Sequence, residues 1–297
     1  MQTMRDIKIR LKSINSTKQI TESMRLIATR KVQKIRLRLH ENKPYLKQTA
    51  EIIKQLTDDK SFDFNNHPYI TGRNAEKALV ILITGDRGLC AGYNVNVQKE
   101  ALKLNATLKN PEYITIGSKG YVFLARRVGK DKILKQYDGL SENPIYEHAQ
   151  MISQVVFEKF NNPDIEKRVD KIYLVHTRYI SMISQEPTCV QLLPYTRDNS
   201  SVGESEIGGG GKSQSYDTDQ AVYFEHAVST HVTSVLFSAM LESAAAEQCA
   251  RVTGMDSASK NSEKIMDTLT LQYNQMRQGA ITQEIAEIVG GAAATSK

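Results

Sequence analysis

The 297-residue chain has no tryptophan, only three cysteines, and no proline after Pro194. Cys90, Cys189 and Cys249 are scattered, with no CxxC or CxxH spacing. That argues for a reducing compartment and against a disulfide framework or a zinc site. The longest strongly apolar run is Ala78–Ile83, far short of the roughly 20 residues that a membrane span requires. The opening stretch, MQTMRDIKIRLKS, is charged from residue 5 and lacks the apolar centre of a signal peptide. We therefore expect a soluble protein that reaches a membrane only through another protein. The six histidines, at 40, 67, 148, 176, 226 and 231, form no HExxH and have no cysteine nearby in sequence. No nucleophile–base set can be nominated by spacing, and we expect no catalytic residue, metal or cofactor.

Charge is abundant but unevenly placed. Residues 1–47 carry 13 Lys/Arg against Asp6, Glu22 and Glu41, a net of +10. Residues 48–216 are nearly balanced at +1, and residues 217–289 hold four basic against ten acidic side chains, a net of −6. A basic front of this kind suits nucleic acid or an acidic protein surface equally well.

The front segment has helical periodicity. Ile7, Leu11 and Ile14 step by four and three; Ile20, Met24 and Ile27 resume after a polar patch; Ala28, Val32, Ile35 and Leu39 continue, and Leu46, Ala50 and Ile53 follow past Pro44. This 3.5-residue spacing is the coiled-coil pattern, with a kink or the local loss of one hydrogen bond expected at Pro44. The rear segment repeats it through Val228, Val232, Val235 and Ala239, then the small residues Ser243, Ala246, Ala250, Thr253 and Ser257, then Met266, Leu269, Tyr273, Met276 and Ala280. At 1.5 Å per residue such helices measure on the order of 80 and 110 Å, more than a compact ball of this size spans. The pattern predicts that they project and pair antiparallel, basic against acidic.

The middle alternates strand and helix. Strands are predicted at 77–84, 113–117, 133–137, 171–179 and 188–196, the last at a sheet edge because of Pro194. Helices are predicted at 94–108, 121–127 and 145–160. Repeated β-α-β units imply a mostly parallel, Rossmann-like sheet. The expected division is an N-terminal coiled-coil helix at 1–57, an inserted α/β domain at 75–197, a Gly/Ser linker at 198–216, and a C-terminal coiled-coil helix at 217–289. The fold class is thus α/β plus all-α.

Two glycine-rich stretches invite a nucleotide reading. GGGGKS at 208–213 ends like a phosphate-binding loop, but Glu206 stands at the leading glycine and the preceding residues are polar linker rather than a buried strand. TGDRGLCAGYN at 84–94 follows a strand and precedes a helix, yet lacks GxGxxG and places Asp86 where a phosphate would approach. We read the first as linker and the second as a tight turn presenting Asp86 and Arg87. A nucleotide-binding domain with helical arms, and a basic coiled-coil nucleic-acid scaffold, are the competing readings.

IRLKSINSTKQITESMRLIATRKV (9–32), TGDRGLCAGYN (84–94), AEQCARV around Arg251 and YNQMRQGAITQE (273–284), running on into ITQEIAEIVGGA (281–292), resemble the gamma subunit of F-type ATP synthases, in order and along the whole chain. The resemblance implies a non-catalytic rotor. Its paired helices would thread the hexamer of alpha and beta subunits, and its α/β domain would sit beside the epsilon subunit and the c-ring. It implies coupling of ion flow to ATP synthesis without nucleotide binding by this chain, and peripheral attachment on the cytoplasmic side of a bacterial plasma membrane. By motif match, Met24 would face the acidic rim of the beta subunits with Arg25, Arg30 and Lys31 nearby. Asp86 and Arg87 would contact the hexamer, and Arg251, Gln278, Thr282 and Glu287 would serve coupling.

Overall fold

The computed structural model describes residues 3–58, 67–73, 77–195 and 220–295. GGGGKS and the whole stretch read as linker, 198–216, lie outside the described residues. In chain order the elements are α1 (Met4–Asp58), α2 (Pro68–Thr71), β1 (Ala78–Ile83), α3 (Tyr93–Thr107), β2 (Glu112–Ile116), α4 (Ser118–Arg127), a 3-10 turn (Lys130–Lys132), β3 (Ile133–Tyr137), α5 (Tyr146–Phe160), β4 (Lys171–Tyr179), β5 (Gln185–Leu193) and α6 (Gln220–Thr295). They fall into two compact units: Met1–Thr29 with Arg251–Lys297, and Arg30–Ala250.

In the larger unit, the sheet order is β3-β2-β1-β4-β5. The first four strands pair in parallel, and β5 is antiparallel to β4. β1 is apolar on both faces because both are covered. Leu79, Ile81 and Ile83 pack with α5 and with residues of α1 (Leu46, Ile53, Leu56) and α6 (Phe224, Val228, Val232). Val80 and Leu82 pack on the other side with Val97 and Ala101 of α3 and Leu124 of α4. β5 lies at the predicted edge, but the proline inside it is Pro187, opposite Thr177; Pro194 follows the strand across a cis peptide bond.

α1 starts on a reciprocal cap: Thr3 and Asp6 exchange backbone–side-chain hydrogen bonds, and the bond from the Thr3 backbone N–H holds the Asp6 carboxyl below its usual range. The helix runs through Pro44.

The α1 seam buries the expected Ile7, Ala28, Val32, Ile35, Leu39, Leu46 and Ile53, and departs from the hydrophobic reading around residues 20–27. Thr21, Ala28, Ile35, Asn42, Thr49 and Leu56 are buried at seven-residue intervals that extend back through the half-buried Ile14 to the buried Ile7, and Val32, Leu39, Leu46 and Ile53 supply the second series. Ile20 and Ile27, read as seam, are exposed at 60% and 57%. The cause is that the buried members between 14 and 28 are polar or small. Thr21 satisfies its hydroxyl on the Lys18 carbonyl, so it can enter a packed seam that an apolarity count assigns to its neighbour.

α6 shows the converse problem. From His231 to Ala250 it is covered on nearly all sides, with only Phe237 and Glu242 partly accessible. A helix without a polar face carries no phase information, so counting through it loses register. Thr253 and Ser257 are exposed, while Met255, Ser259, Ser262 and Leu269 are buried.

Ionic pairing between the two helices is sparser than the opposite net charges imply. Among the described residues, Lys18–Glu263 at 2.9 Å joins α1 to α6. Arg25 turns to Glu22 on its own helix, and Asp256 to Lys260 on its own. Apolar and small side chains make the seam.

Candidate subunit-contact surface

In a doubly wound sheet, ligands bind outside the carboxyl ends of the strands, where the strand order reverses. Here that point lies between β1 and β4, and α6 side chains fill it. The Ser243 hydroxyl oxygen accepts from the Thr177 backbone N–H at 3.3 Å, and the Glu242 carboxylate accepts from that of Tyr179 at 3.3 Å. A methyl group on Gly85 would stand 2.9 Å from the carboxyl of Glu247. The crevice that would cradle a phosphate is occupied by carboxylates of the chain itself.

Asp86 completes that substitution. Its Oδ1 accepts from the backbone N–H of Ser118 at the start of α4, at 3.0 Å. Its Oδ2 accepts from Gly139 N–H at 3.0 Å and from the Ser141 hydroxyl at 2.7 Å. The carboxylate sits where the positive end of a helix attracts an anion, and it ties together the segments that follow β1, β2 and β3. Asp86 is therefore an organiser of the loop. Asp86→Ala should cost the full chain about 2 kcal/mol in urea denaturation, and Asp86→Asn about half of that, since three donors lose a charged acceptor. Wild-type stability in Asp86→Ala would remove it from that role.

Behind Asp86 the loop rises to the surface. Arg87 is highly exposed and pairs with Glu142 at 3.2 Å; Lys31 of α1 reaches the same carboxylate at 3.0 Å. Two of the residues singled out by sequence thus converge on one acid. Glu142, absent from the sequence reading, is the residue that joins them. Leu89 was missed as well. It is 64% exposed with a φ of +60°, and a large residue held in the left-handed region is a usual mark of a constrained functional loop. Ala91, at φ +46°, extends the same strained turn, whose start is fixed by the Asn94 side chain accepting from Gly85 N–H.

The remaining singled-out residues lie on the helices. Arg30 is exposed, and among the described residues no carboxylate stands within ion-pair distance of it. Met24 is half-buried. The Arg25 guanidinium holds the Glu22 carboxyl below its usual range. Arg251 is buried at 7% exposure. Gln278, Thr282 and Glu287 are exposed; the Thr282 hydroxyl donates to the Gln278 carbonyl, and Gln283 donates to Glu287 at 3.0 Å. Around them Ile281, Ile285, Ile288 and Val289 are also exposed, Ile288 at 72%. An apolar stripe on a helix of this kind marks an interaction site. Among the described residues, no helix is long and apolar enough to cross a membrane.

The family model described as ATP synthase matches residues 3–295. The chain is 38% identical to the ATP synthase gamma chain of Alkaliphilus metalliredigens, over 98% of each chain. It is 36% identical to the sodium-ion-specific ATP synthase gamma chain of Acetobacterium woodii, over 99% of each. Among solved structures it is similar in fold to a chain of the Euglena gracilis mitochondrial ATP synthase in rotational state 3, with a TM-score of 0.71, 20% identity, and coverage of 98% of this chain and 94% of that one. A chain of the rotor of the same enzyme in rotational state 1 gives a TM-score of 0.66 at 19% identity, with 94% and 98% covered. With the family model spanning almost every residue and relatives above 30% identity along the full length, the chain belongs to the gamma-chain family of ATP synthases.

Proposed function

We propose that this chain is the central-stalk rotor of an F-type ATP synthase. It couples ion translocation in a membrane sector to synthesis or hydrolysis of ATP on beta subunits, and itself performs no chemistry. The observation that carries this reading is the family match over residues 3–295. The filled crevice at the carboxyl edge of the sheet supports it, because an α/β domain closed in this way is built to transmit force rather than to hold a nucleotide. The family assignment displaces the nucleic-acid scaffold. In this reading the chain meets the alpha and beta hexamer, the epsilon subunit and the c-ring. It works on the cytoplasmic side of a bacterial plasma membrane, as its bacterial relatives suggest. The division into helix 1–57, α/β domain 75–197, linker 198–216 and helix 217–289 would then separate the arm that turns inside the hexamer from the foot that is driven.

The contact set assigned to that arm and foot is Met24, Arg25, Arg30, Lys31, Arg87, Gln278, Thr282 and Glu287, with Asp86, held within its loop, and the buried Arg251 acting from inside the fold. Its electrostatics are those of a basic surface turning against an acidic collar. Weak, partly screened contacts keep such a landscape shallow, so one strong new contact should be felt. Affinity purification through a tag on this chain should recover alpha, beta, epsilon and c subunits. In that complex Met24→Lys should lower the ions pumped per ATP hydrolysed. An added charge pair at a partly desolvated interface is worth about 1–2 kcal/mol, enough to slow escape from one rotor angle roughly tenfold. Recovery of the chain without those subunits would overturn the rotor reading. Unchanged coupling in Met24→Lys would remove Met24 from the contact set.

A further inference from the structure

The β4–β5 hairpin carries an apolar tip that the folded unit does not use. Ile180 is 52% exposed, Met182 40% and Ile183 93%. The tip is not loose. Ser181 N–H donates to the Ser184 carbonyl, the Ser181 hydroxyl oxygen accepts from Ile183 N–H and Ser184 N–H, and the Gln185 amide donates to the carbonyls of Ser181 and Met182. Three apolar side chains are therefore presented outward on a pre-organised loop, which reduces the ordering cost of binding.

Beneath the tip, against α1, lies a groove of about 430 Å³ whose walls include Arg36, His40, Lys43 and Met182. Among the described residues no carboxylate stands within ion-pair distance of Arg36 or Lys43. The acid at its floor, Glu242, accepts from Tyr179 N–H and lies 3.9 Å from His176. Arg178 is not among the residues that line the groove, so the positive side chains that do belong to the α1 wall. Concavity decides the class of partner. A bilayer surface could receive Ile183 but could not follow the cations into the groove. A nucleic acid could reach the cations but has no apolar side chains for the tip.

We propose that the β4–β5 hairpin tip and the Arg36–His40–Lys43 groove form a docking surface for an acidic amphipathic helix of a partner protein. The apolar stripe of that helix covers Ile180, Met182 and Ile183, and its carboxylates enter the groove. The proposal rests on the central-stalk reading in so far as the partner is another subunit of the same complex.

The test places the photo-crosslinker p-benzoylphenylalanine at position 183 of the full chain, within the purified assembled complex. A second preparation carries it at Ile165, another highly exposed apolar position on the same unit. The expected product is an adduct at 183 with a protein segment of net negative charge and apolar residues three and four apart. Arg36→Glu with Lys43→Glu should cut its yield about fivefold or more, and the paired Gln substitutions should cut it less. An adduct with lipid or with a basic segment, a yield at 183 no greater than at 165, or a yield indifferent to charge reversal would each overturn the docking surface while leaving the rotor reading standing. Failure of the unsubstituted chain to join any complex would overturn both.

Discussion

Gly117→Ala is expected to destabilise the chain by about 4 kcal/mol, an unusually large effect for one methyl group. Gly117 links β2 to α4 with φ +91° and ψ 136°, a region essentially reserved for glycine, where other residues pay about 1–3 kcal/mol. The new Cβ would also stand 2.2 Å from the Thr84 carbonyl oxygen and 2.8 Å from its carbon. Thr84 cannot retreat cheaply. Its N–H donates to the Ile116 carbonyl at 2.8 Å, and its hydroxyl bonds the Ile116 and Gly117 carbonyls and accepts from Gly120 N–H. Moving it breaks the junction that sets the Asp86 loop on the end of β1. Gly139, also at positive φ but with nothing within 4 Å of a built Cβ, supplies the comparison: Gly139→Ala should cost only about 1 kcal/mol. Urea denaturation of the full chain, followed by circular dichroism, measures both. Equal losses at the two positions would show that steric closure at Thr84 contributes nothing.

Much of this architecture was legible in the sequence for reasons that can be named. β1 and β2 are apolar because both faces are covered, so ALVILI and YITI could be recognised from composition alone. α1 and α6 have helical periods long enough to outweigh Pro44 and Gly254. What could not be read is where the rules become local. The α1 seam admits Thr21 and Thr49, because a hydroxyl can bond its own helix, so an apolar count passes over Thr21 and settles on Ile20 and Ile27. α6 between His231 and Ala250 has no outer face, so its phase was invisible. The Asp86 loop was recognisable as a turn, yet its partner Glu142 lies 55 residues away from Arg87 in a segment with no motif. That pairing exists only once β1 and β3 lie in one sheet.

The helix charges teach a related lesson. A front of +10 and a rear of −6 suggested attraction along the seam. Yet Glu242 and Glu247, two of the acids of α6, are turned toward the sheet edge, and Lys31 is drawn to Glu142. Net charge per segment says how a surface will attract partners, not which side chains meet within the chain. The basic excess of α1 is therefore left available to other proteins at Arg30, Arg36 and Lys43.

Stability should peak near pH 6.5, set by three buried groups. His176 and His231 are pushed down from 6.5 to about 4 by burial, His176 also by Arg178. Glu242 is pushed up from 4.5 to about 7 by burial, although the Tyr179 N–H bond, Arg178 and Lys43 oppose the shift. A depressed histidine contributes stability that is complete above 6.5 and is lost as pH falls toward 4, because the unfolded chain takes the proton first. A raised carboxyl contributes stability that is complete below 4.5 and is lost as pH rises through 7. Between 6.5 and 4.5 two histidines outweigh one carboxyl, so acidification costs about 1.4 kcal/mol per pH unit. From 6.5 to 7 only Glu242 still titrates, and its full penalty reaches about 3 kcal/mol. Glu242→Gln keeps an oxygen to accept from Tyr179 N–H but cannot ionise. It should therefore stabilise the chain by up to about 3 kcal/mol at pH 8 and change little at pH 4.5, flattening the alkaline limb and steepening the acid limb to about 2.7 kcal/mol per pH unit. Urea denaturation from pH 4.5 to 8.5 on both chains decides it. A gain of equal size at both ends would mean that the substitution acts through packing, and no gain at pH 8 would mean that Glu242 is already ionised at little cost in the fold.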